Sequence, residues 1–363
     1  MKENELILEQ YIVTGNISVV EAMKQMDENG SGILFITDED RRLDKCLTDG
    51  DIRRWLIKTG QLNVNIFSIA QSDPKSLKKE KKDSAIQFMI DNRLKALPIV
   101  DDEDRIVDVI INKYTKKEVS LSEKHEIENT KVIIMAGGMG TRLYPYTKIL
   151  PKPLIPIGEI PILERILNHY HQFGINSFYL VVNYKKDMIK AYFSDLKPAY
   201  ELRFIDESKP LGTAGGIRLI KEEFDAPVIV TNCDILIETD YYNVMNFHIS
   251  AQNDATIIGS LKSMYLPYGV LHTGENGTVI SMEEKPKISH FINTGMYIVN
   301  PEFFRWIPDD TEFHMTDLIE MMIDKGKRIA MYPISEDSFL DMGEFEEMYQ
   351  MEKKINERNA YKV

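Results

Sequence analysis

The sequence predicts an α/β protein: a large, mixed but mostly parallel sheet covered by helices on both faces, preceded by a smaller α/β module. Three observations carry this prediction. From Lys131 onward short apolar runs alternate with amphipathic stretches, the rhythm of strands joined by crossover helices. Before that, a helix, strand, acidic turn and strand occur twice. After Ala255 the rhythm changes to strands and a hairpin.

The repeat comes first in the chain. ISVVEAMKQMDENGSGILFITDEDRRLDKCLTDGD is echoed by KDSAIQFMIDNRLKALPIVDDEDRIVDVIIN, with Ala22 opposite Ala85, Met26 opposite Met89 and Ile36 opposite Ile99 at one constant offset. Apolar residues at three- and four-residue spacing give each unit its helix. KSLKKEKKDS, between the units, reads as a solvated face. Lys113–Thr130 is polar and aperiodic and reads as a linker, so the expected division is 1–122, a linker at 123–130, and 131–363. In the last part VIIMA is a strand, ILERILNHYHQFG a helix, SFYLVV a strand, KDMIKAYFSDL a helix, LRFIDE a strand, GIRLIKEEF a helix and PVIVTNCD a strand. GVLHTGENGTVISMEE then forms a hairpin on ENG turn chemistry.

Composition excludes several classes of function. A formal charge of −13 argues against a general nucleic-acid or anionic-membrane binder. The two cysteines, Cys46 and Cys233, form neither a disulfide framework nor a zinc pattern and fit a reducing cytoplasm. MKENELILEQ lacks the apolar segment of a signal peptide, and no apolar run reaches the roughly 20 residues that span a bilayer. The expectation is a soluble cytoplasmic protein.

Chemistry concentrates in IIMAGGMGTRLYPYTKILPKP. Gly137, Gly138 and Gly140 make a turn whose backbone amides suit a triphosphate, because glycine lets N–H groups approach an anion closely. The run lacks the ending of a P-loop and the dinucleotide-binding spacing. Arg142 is a multi-donor cation suited to phosphate oxygens, and Lys152 is held between prolines in PKP.

This run, followed in order by PLGTAGG, NCD, YGV, EEKP, NTGMY and DMG, makes residues 131–363 resemble the sugar-1-phosphate nucleotidyltransferases of the nucleoside-diphosphate-sugar pyrophosphorylase family, with a Rossmann-like catalytic domain. Residues from about 10 to 115 resemble a tandem pair of CBS modules, which commonly bind adenine nucleotides and dimerise. The first resemblance implies attack of a sugar 1-phosphate oxygen on the α-phosphorus of a nucleoside triphosphate, with pyrophosphate leaving. It implies Arg142 and the turn, with Thr141, on the departing phosphates, Lys152 between the reacting phosphates, and Mg²⁺ on Asp234 and Asp341. Lys285 would hold the sugar phosphate, Gly269, Glu284, Asn293 and Thr294 the sugar, and Gly212 and Thr213 the nucleoside. The second implies Thr48 and Asp51 at a ribose, whereas the other repeat offers only Asn112 and Thr115, with no acid.

Bland readings stand beside these. Asp234 would equally cap a turn, and Lys285 would equally be a solvated hairpin lysine. Asp341 would cap the following helix, because Glu344 and Phe345 replace the threonine and proline usual in the family. Asn183 lies near the base or merely starts a turn; His169 and His171 are structural; Cys233 is a strand cysteine. The resemblance points to GTP and to GDP-sugars for bacterial surface glycans, with UTP as runner-up and an amino hexose, mannose or heptose as the sugar. The rival from another class is a nucleotide sensor with an inactive transferase domain. A homodimer or higher homo-oligomer is expected.

Overall fold

A computed structural model describes residues 8–92, 94–111, 127 and 129–360, with the side chains of 357–360 left aside. Asn112, Thr115 and most of the expected linker lie outside these residues. The chain groups into two compact units. Unit 1 comprises Met1–Leu121, Leu261–Phe291 and Ser335–Asp337, so it takes a stretch beyond the division expected from sequence. Unit 2 holds Ser122–Ser260, Ile292–Ile334 and Ser338–Val363.

Unit 1 begins with β1 (Ile12–Thr14), α1 (Val19–Asn29), β2 (Ile33–Thr37), β3 (Leu43–Thr48), α2 (Asp49–Thr59) and β4 (Gln71–Ser72). It continues with β5 (Leu77–Lys78), α3 (Ala85–Asp91), β6 (Ala96–Val100) and β7 (Ile106–Ile111). Reciprocal Ser18–Glu21 hydrogen bonds start α1, and Gly30, with φ +63°, ends it in the left-handed conformation. The internal repeat is visible in the registers. Ile33 pairs with Thr48 as Ala96 pairs with Ile111, and each hairpin shifts register at its last pair. The two hairpins then bond to each other reciprocally: Leu43 N–H donates to Asp104 O at 3.0 Å, and Ile106 N–H to Arg41 O at 2.9 Å. Such reciprocity is the mark of a two-fold relation.

Unit 2 opens with β8 (Lys131–Ala136), the short α4 (Tyr146–Ile149), the small ladder of β9 (Pro156–Ile157) and β10 (Ile160–Pro161), and α5 (Ile162–Gln172). Then come β11 (Ser177–Val182), α6 (Lys186–Leu196), β12 (Glu201–Asp206), β13 (Val228–Asn232), β14 (Ile235–Ile237), α7 (Tyr241–Ser250) and β15 (Ala255–Tyr265). In the stretch after β15 that belongs to unit 1, β16 (Val270–Thr273) and β17 (Val279–Glu283) form the expected hairpin, turning at Asn276 (φ 56°) and Gly277 (φ 75°). β18 (Lys287–Val299), α8 (Met315–Asp324), β19 (Ile329–Ile334), β20 (Phe339–Asp341) and α9 (Phe345–Ala360) complete the chain. Leu261 and Phe291, at the ends of the stretch belonging to unit 1, pack into the core of its first repeat.

The seven-stranded sheet runs β12-β11-β8-β13-β18-β15-β19, its first four strands parallel and β18 antiparallel to β13. Alternate residues feed opposite faces, as the period of two requires. Val132 and Ile134 of β8 join Leu163, Leu167 and Phe193 from α5 and α6, whereas Ile133 joins Leu318 and Met322 of α8. A parallel sheet buried on both faces is the architecture expected from the alternation.

One element departs from expectation. GIRLIKEEF is no α-helix: only Gly215–Leu219 turns, as a 3₁₀ segment, and Ile220 is extended at φ −75°, ψ 116°. The cause is close backbone packing. A methyl group at Gly215 would sit 2.7 Å from Thr311 O, and one at Gly216 would sit 2.5 Å from Glu207 Oε1. Among the described residues no helix is long and apolar enough to cross a membrane.

Candidate active site

Four parallel strands end in line. Ala136 pairs with Val182 and Val182 with Asp206, while Met135 pairs with Asn232. The residues that follow at once are Gly137, Asn183, Glu207 and the pair Cys233–Asp234. Ligands of open α/β sheets bind at the carboxyl ends of strands, where loops leave a crevice. The chain therefore brings the glycine turn and the NCD motif to one edge.

The turn is tightly built. Gly140 has φ +64°, and a methyl group there would lie 2.9 Å from Thr147 Cγ2 and 3.1 Å from Lys152 Cβ. Gly138 has open space around its Cα, leaving this backbone approachable. Buried Thr147 donates its hydroxyl to Gly140 O at 2.8 Å. Thr141 and Arg142 follow on a 3₁₀ turn, exposed, and Arg142 has no ion pair to another described residue.

Lys152 and Asp234 form an ion pair, their side chains only 14% and 19% exposed. β14 and β20 pair antiparallel with Ile235 opposite Asp341, and Met342 N–H donates to Asp234 O at 2.9 Å, which brings the second carboxylate beside the first. Burial, reinforced by the charges of Asp234 and Glu347, pushes the Asp341 carboxyl up to about 6. Crowded carboxylates of this kind suit a hard divalent cation with oxygen ligands. Among the described residues no three acidic, histidine or cysteine side chains gather around one point. Two carboxylates fit Mg²⁺, which keeps several waters and shares substrate phosphates. Burial, with the charge of Asp234, pushes the Cys233 thiol up to about 12, which disfavours the thiolate that a nucleophile needs.

Gly212, at φ +78°, and Thr213 are fastened to the segment before α8. A methyl group on Gly212 would meet Phe313 O at 2.6 Å, and Met315 N–H donates to the Thr213 hydroxyl at 3.0 Å. Asn293 is exposed, its side chain donating to Tyr297 Oη at 2.7 Å. Thr294 is buried and its hydroxyl donates to Ile258 O at 2.8 Å, so that side chain is already committed within the sheet. A methyl group on Gly295 would meet Asn232 Nδ2 at 2.6 Å, which sets the NTG and NCD segments together. Gly269, Glu284 and Lys285 belong to unit 1, where a methyl group on Gly269 would meet Glu284 Oε2 at 2.9 Å; Lys285 has φ 49°.

Thr48 and Asp51, also in unit 1, bond to each other as the box that starts α2. Burial pushes the Asp51 carboxyl up, but hydrogen bonds from Thr48, Gln71 and Arg54 outweigh it and hold the group below its usual range.

Sequence reasoning missed Glu207. It is 4% exposed, and its Oε1 is buried without a hydrogen-bond partner. It lies between two motif glycines: a methyl group on Gly137 would sit 2.5 Å from its Oε2, and one on Gly216 2.5 Å from its Oε1. Burial alone pushes its carboxyl up to about 7. Its signal was available: an acid at the end of a parallel strand, just before PLGTAGG.

Comparison with known proteins bears on this arrangement. Residues 131–358 match the family model described as Nucleotidyl transferase. A UTP--glucose-1-phosphate uridylyltransferase of Synechocystis is 31% identical over 254 residues, covering 64% of this chain and 65% of that protein. A D-glycero-alpha-D-manno-heptose 1-phosphate guanylyltransferase of Campylobacter jejuni is 32% identical over 222 residues, 60% of this chain and 97% of that one. A mannose-1-phosphate guanyltransferase of Aspergillus fumigatus is 31% identical over 221 residues. The chain thus spans slightly under two thirds of the cyanobacterial and fungal relatives, 65% and 61%, and nearly all of the bacterial one. Among solved structures, HddC from Yersinia pseudotuberculosis superimposes with a TM-score of 0.50 at 28% identity, covering 62% of this chain and 99% of its own.

Proposed function

The chain belongs to the nucleotidyl transferase family, and from that premise we propose that it transfers a nucleoside monophosphate from a triphosphate, GTP, to a sugar 1-phosphate. The observation that carries the reaction is the Lys152–Asp234–Asp341 cluster beside the glycine turn. A phosphate oxygen of the sugar 1-phosphate attacks the α-phosphorus, the bond from α-phosphorus to the bridging oxygen breaks, and pyrophosphate leaves. Two anions must meet, so positioning and charge neutralisation dominate the barrier. Lys152 neutralises the meeting phosphates, and Arg142 with the amides of Gly137, Gly138 and Gly140 holds the departing ones. Asp234 and Asp341 would hold Mg²⁺, which when bound neutralises further phosphate charge. Lys152→Ala is expected to lower turnover on the order of 10²-fold, as loss of a transition-state charge stabiliser does; unchanged pyrophosphate release would remove Lys152 from this role.

We assign the reading of the base to Glu207, whose buried, unpartnered carboxylate lies against Gly137 and Gly216 at the strand ends, and its ionised form suits guanine. An ionised carboxylate accepts only, and guanine presents two adjacent donors, N1–H and the N2 amino group, on one edge. Uracil offers one donor flanked by acceptors, which a carboxylate matches poorly. The Synechocystis relative keeps a uridylyl reading as the second one. The GDP-sugar product would be consumed by surface glycan synthesis in the cytoplasm.

For the N-terminal part of unit 1, the shared register and reciprocal hairpin bonds support a CBS-like pair. With the Asp51 carboxylate already accepting from Thr48, Gln71 and Arg54, the reading we favour there is homo-oligomer assembly rather than capture of an adenine nucleotide.

A further inference from the structure

The segment Asn183–Lys185 follows β11 and touches the glycine-turn region at every level. Tyr184 N–H donates to Gly137 O at 3.3 Å. Tyr184 Oη donates to Thr147 O at 3.0 Å, and the Thr147 hydroxyl donates in turn to Gly140 O at 2.8 Å. Lys185 Nζ donates to two carbonyls at the end of α4, Lys148 O at 2.6 Å and Ile149 O at 2.7 Å. Asn183 Nδ2 reaches Glu207 O at 3.3 Å.

These contacts are made at a cost. Lys185 is left-handed, at φ 50°, ψ 34°, where a residue with a side chain is disfavoured. Backbone outliers persist where the surroundings over-determine them, and they gather at functional sites. What α4 lacks explains the arrangement. It spans four residues, too few to be stable alone, yet it lies between Arg142 and Lys152. The carbonyls closing a helix carry partial negative charge that a cation offsets. On the other flank, the Tyr146 and Phe345 rings are 5.6 Å apart.

We propose that Tyr184 and Lys185 are positioning residues that hold the Gly137–Lys152 segment in its nucleotide-binding geometry by fastening α4 and the glycine turn. The proposal rests on the nucleotidyl-transfer reading and deepens it. Neither side chain needs to touch substrate. If the fastening is lost, the binding-competent segment is populated only part of the time, and apparent affinity for the triphosphate falls by that fraction. The sugar 1-phosphate, which meets this segment only at Lys152, is affected far less.

The test uses the full chain with Lys185→Met, Lys185→Arg and Tyr184→Phe. For Lys185→Met the KM for the triphosphate is expected to rise about tenfold, with the KM for the sugar 1-phosphate within about twofold and kcat within about threefold. Lys185→Arg, which keeps charge and donors, should recover most of that loss. Tyr184→Phe should raise the same KM about threefold. In the absence of substrate, amide hydrogen exchange across residues 138–150 should quicken about tenfold in Lys185→Met. A lowered Tm with unchanged KM would make these residues merely structural and overturn the proposal, as would unchanged exchange. If the unaltered chain turns over no triphosphate, the functional reading fails, and the exchange measurement still decides the positioning role.

Discussion

On the proposed reading, Glu207 is the residue on which the choice of base turns. Replacing it by Gln keeps its shape but puts a donor where an acceptor stood, a pattern that suits the donor and acceptor of uracil. Glu207→Gln is therefore expected to lower kcat/KM for GTP by about 10²-fold and to narrow or invert the preference over UTP; equal losses with both triphosphates would free Glu207 of base reading. Its titration gives a second handle. The folded-state value near 7 lies above the ordinary 4.5, so the folded protein holds this proton more tightly than the unfolded chain. Stability then falls as pH rises from about 4.5 through 7, by about 2–4 kcal/mol. Denaturant titrations at pH 5 and pH 8 should show that fall in the unaltered protein and less of it in Glu207→Gln. Triphosphate affinity should move oppositely, rising through pH 7, since only the ionised form accepts both guanine donors.

Elements explain what the glycines of the turn are for, and they mark the limit of reading from sequence. Gly140→Ala is expected to cost about 1–3 kcal/mol, because its φ is positive and its methyl would press on Thr147 and Lys152. Gly138→Ala meets nothing and should leave Tm unchanged; a matched loss in both would contradict this account of the turn. Strands and helices were legible where periodicity was strong: KDMIKAYFSDL is a helix over the same residues, and the ENG turn closes its hairpin. GIRLIKEEF was not, since its helical spacing is overruled by Gly215 and Gly216, which pack against residues distant in sequence. Lys152, Asp234 and Asp341, singled out from separate motifs, lie together in the fold, whereas Arg142 stands exposed on its own turn. Glu207 stands in a legible place, at a strand end before PLGTAGG, but its burial is made by Gly137 and Gly216, which are distant in sequence. For Thr294, likewise, its place in a motif says nothing of the Ile258 carbonyl that takes its hydroxyl.

Across the whole molecule, the glycine turn and the Lys152–Asp234 pair lie in one compact unit, whereas the repeat proposed for assembly lies in the other, together with Gly269, Glu284 and Lys285. Calorimetric titration of AMP, ADP and ATP into the full chain should accordingly show no saturable binding that Thr48→Ala abolishes; binding lost with Thr48 would restore the repeat to a nucleotide-sensing role. With a net charge of −13, the anionic substrates proposed here would be drawn in by local cations such as exposed Arg142 rather than by the general field. The most direct measurement is pyrophosphate release in Mg²⁺ buffer, offering GTP, UTP, CTP, dTTP and ATP in turn against glucose, mannose, heptose and amino-hexose 1-phosphates. The account predicts release with GTP well above UTP and with one sugar class. Release led by UTP would contradict guanine reading by Glu207, and silence with every pair, nucleotide binding being intact, would contradict the transferase itself.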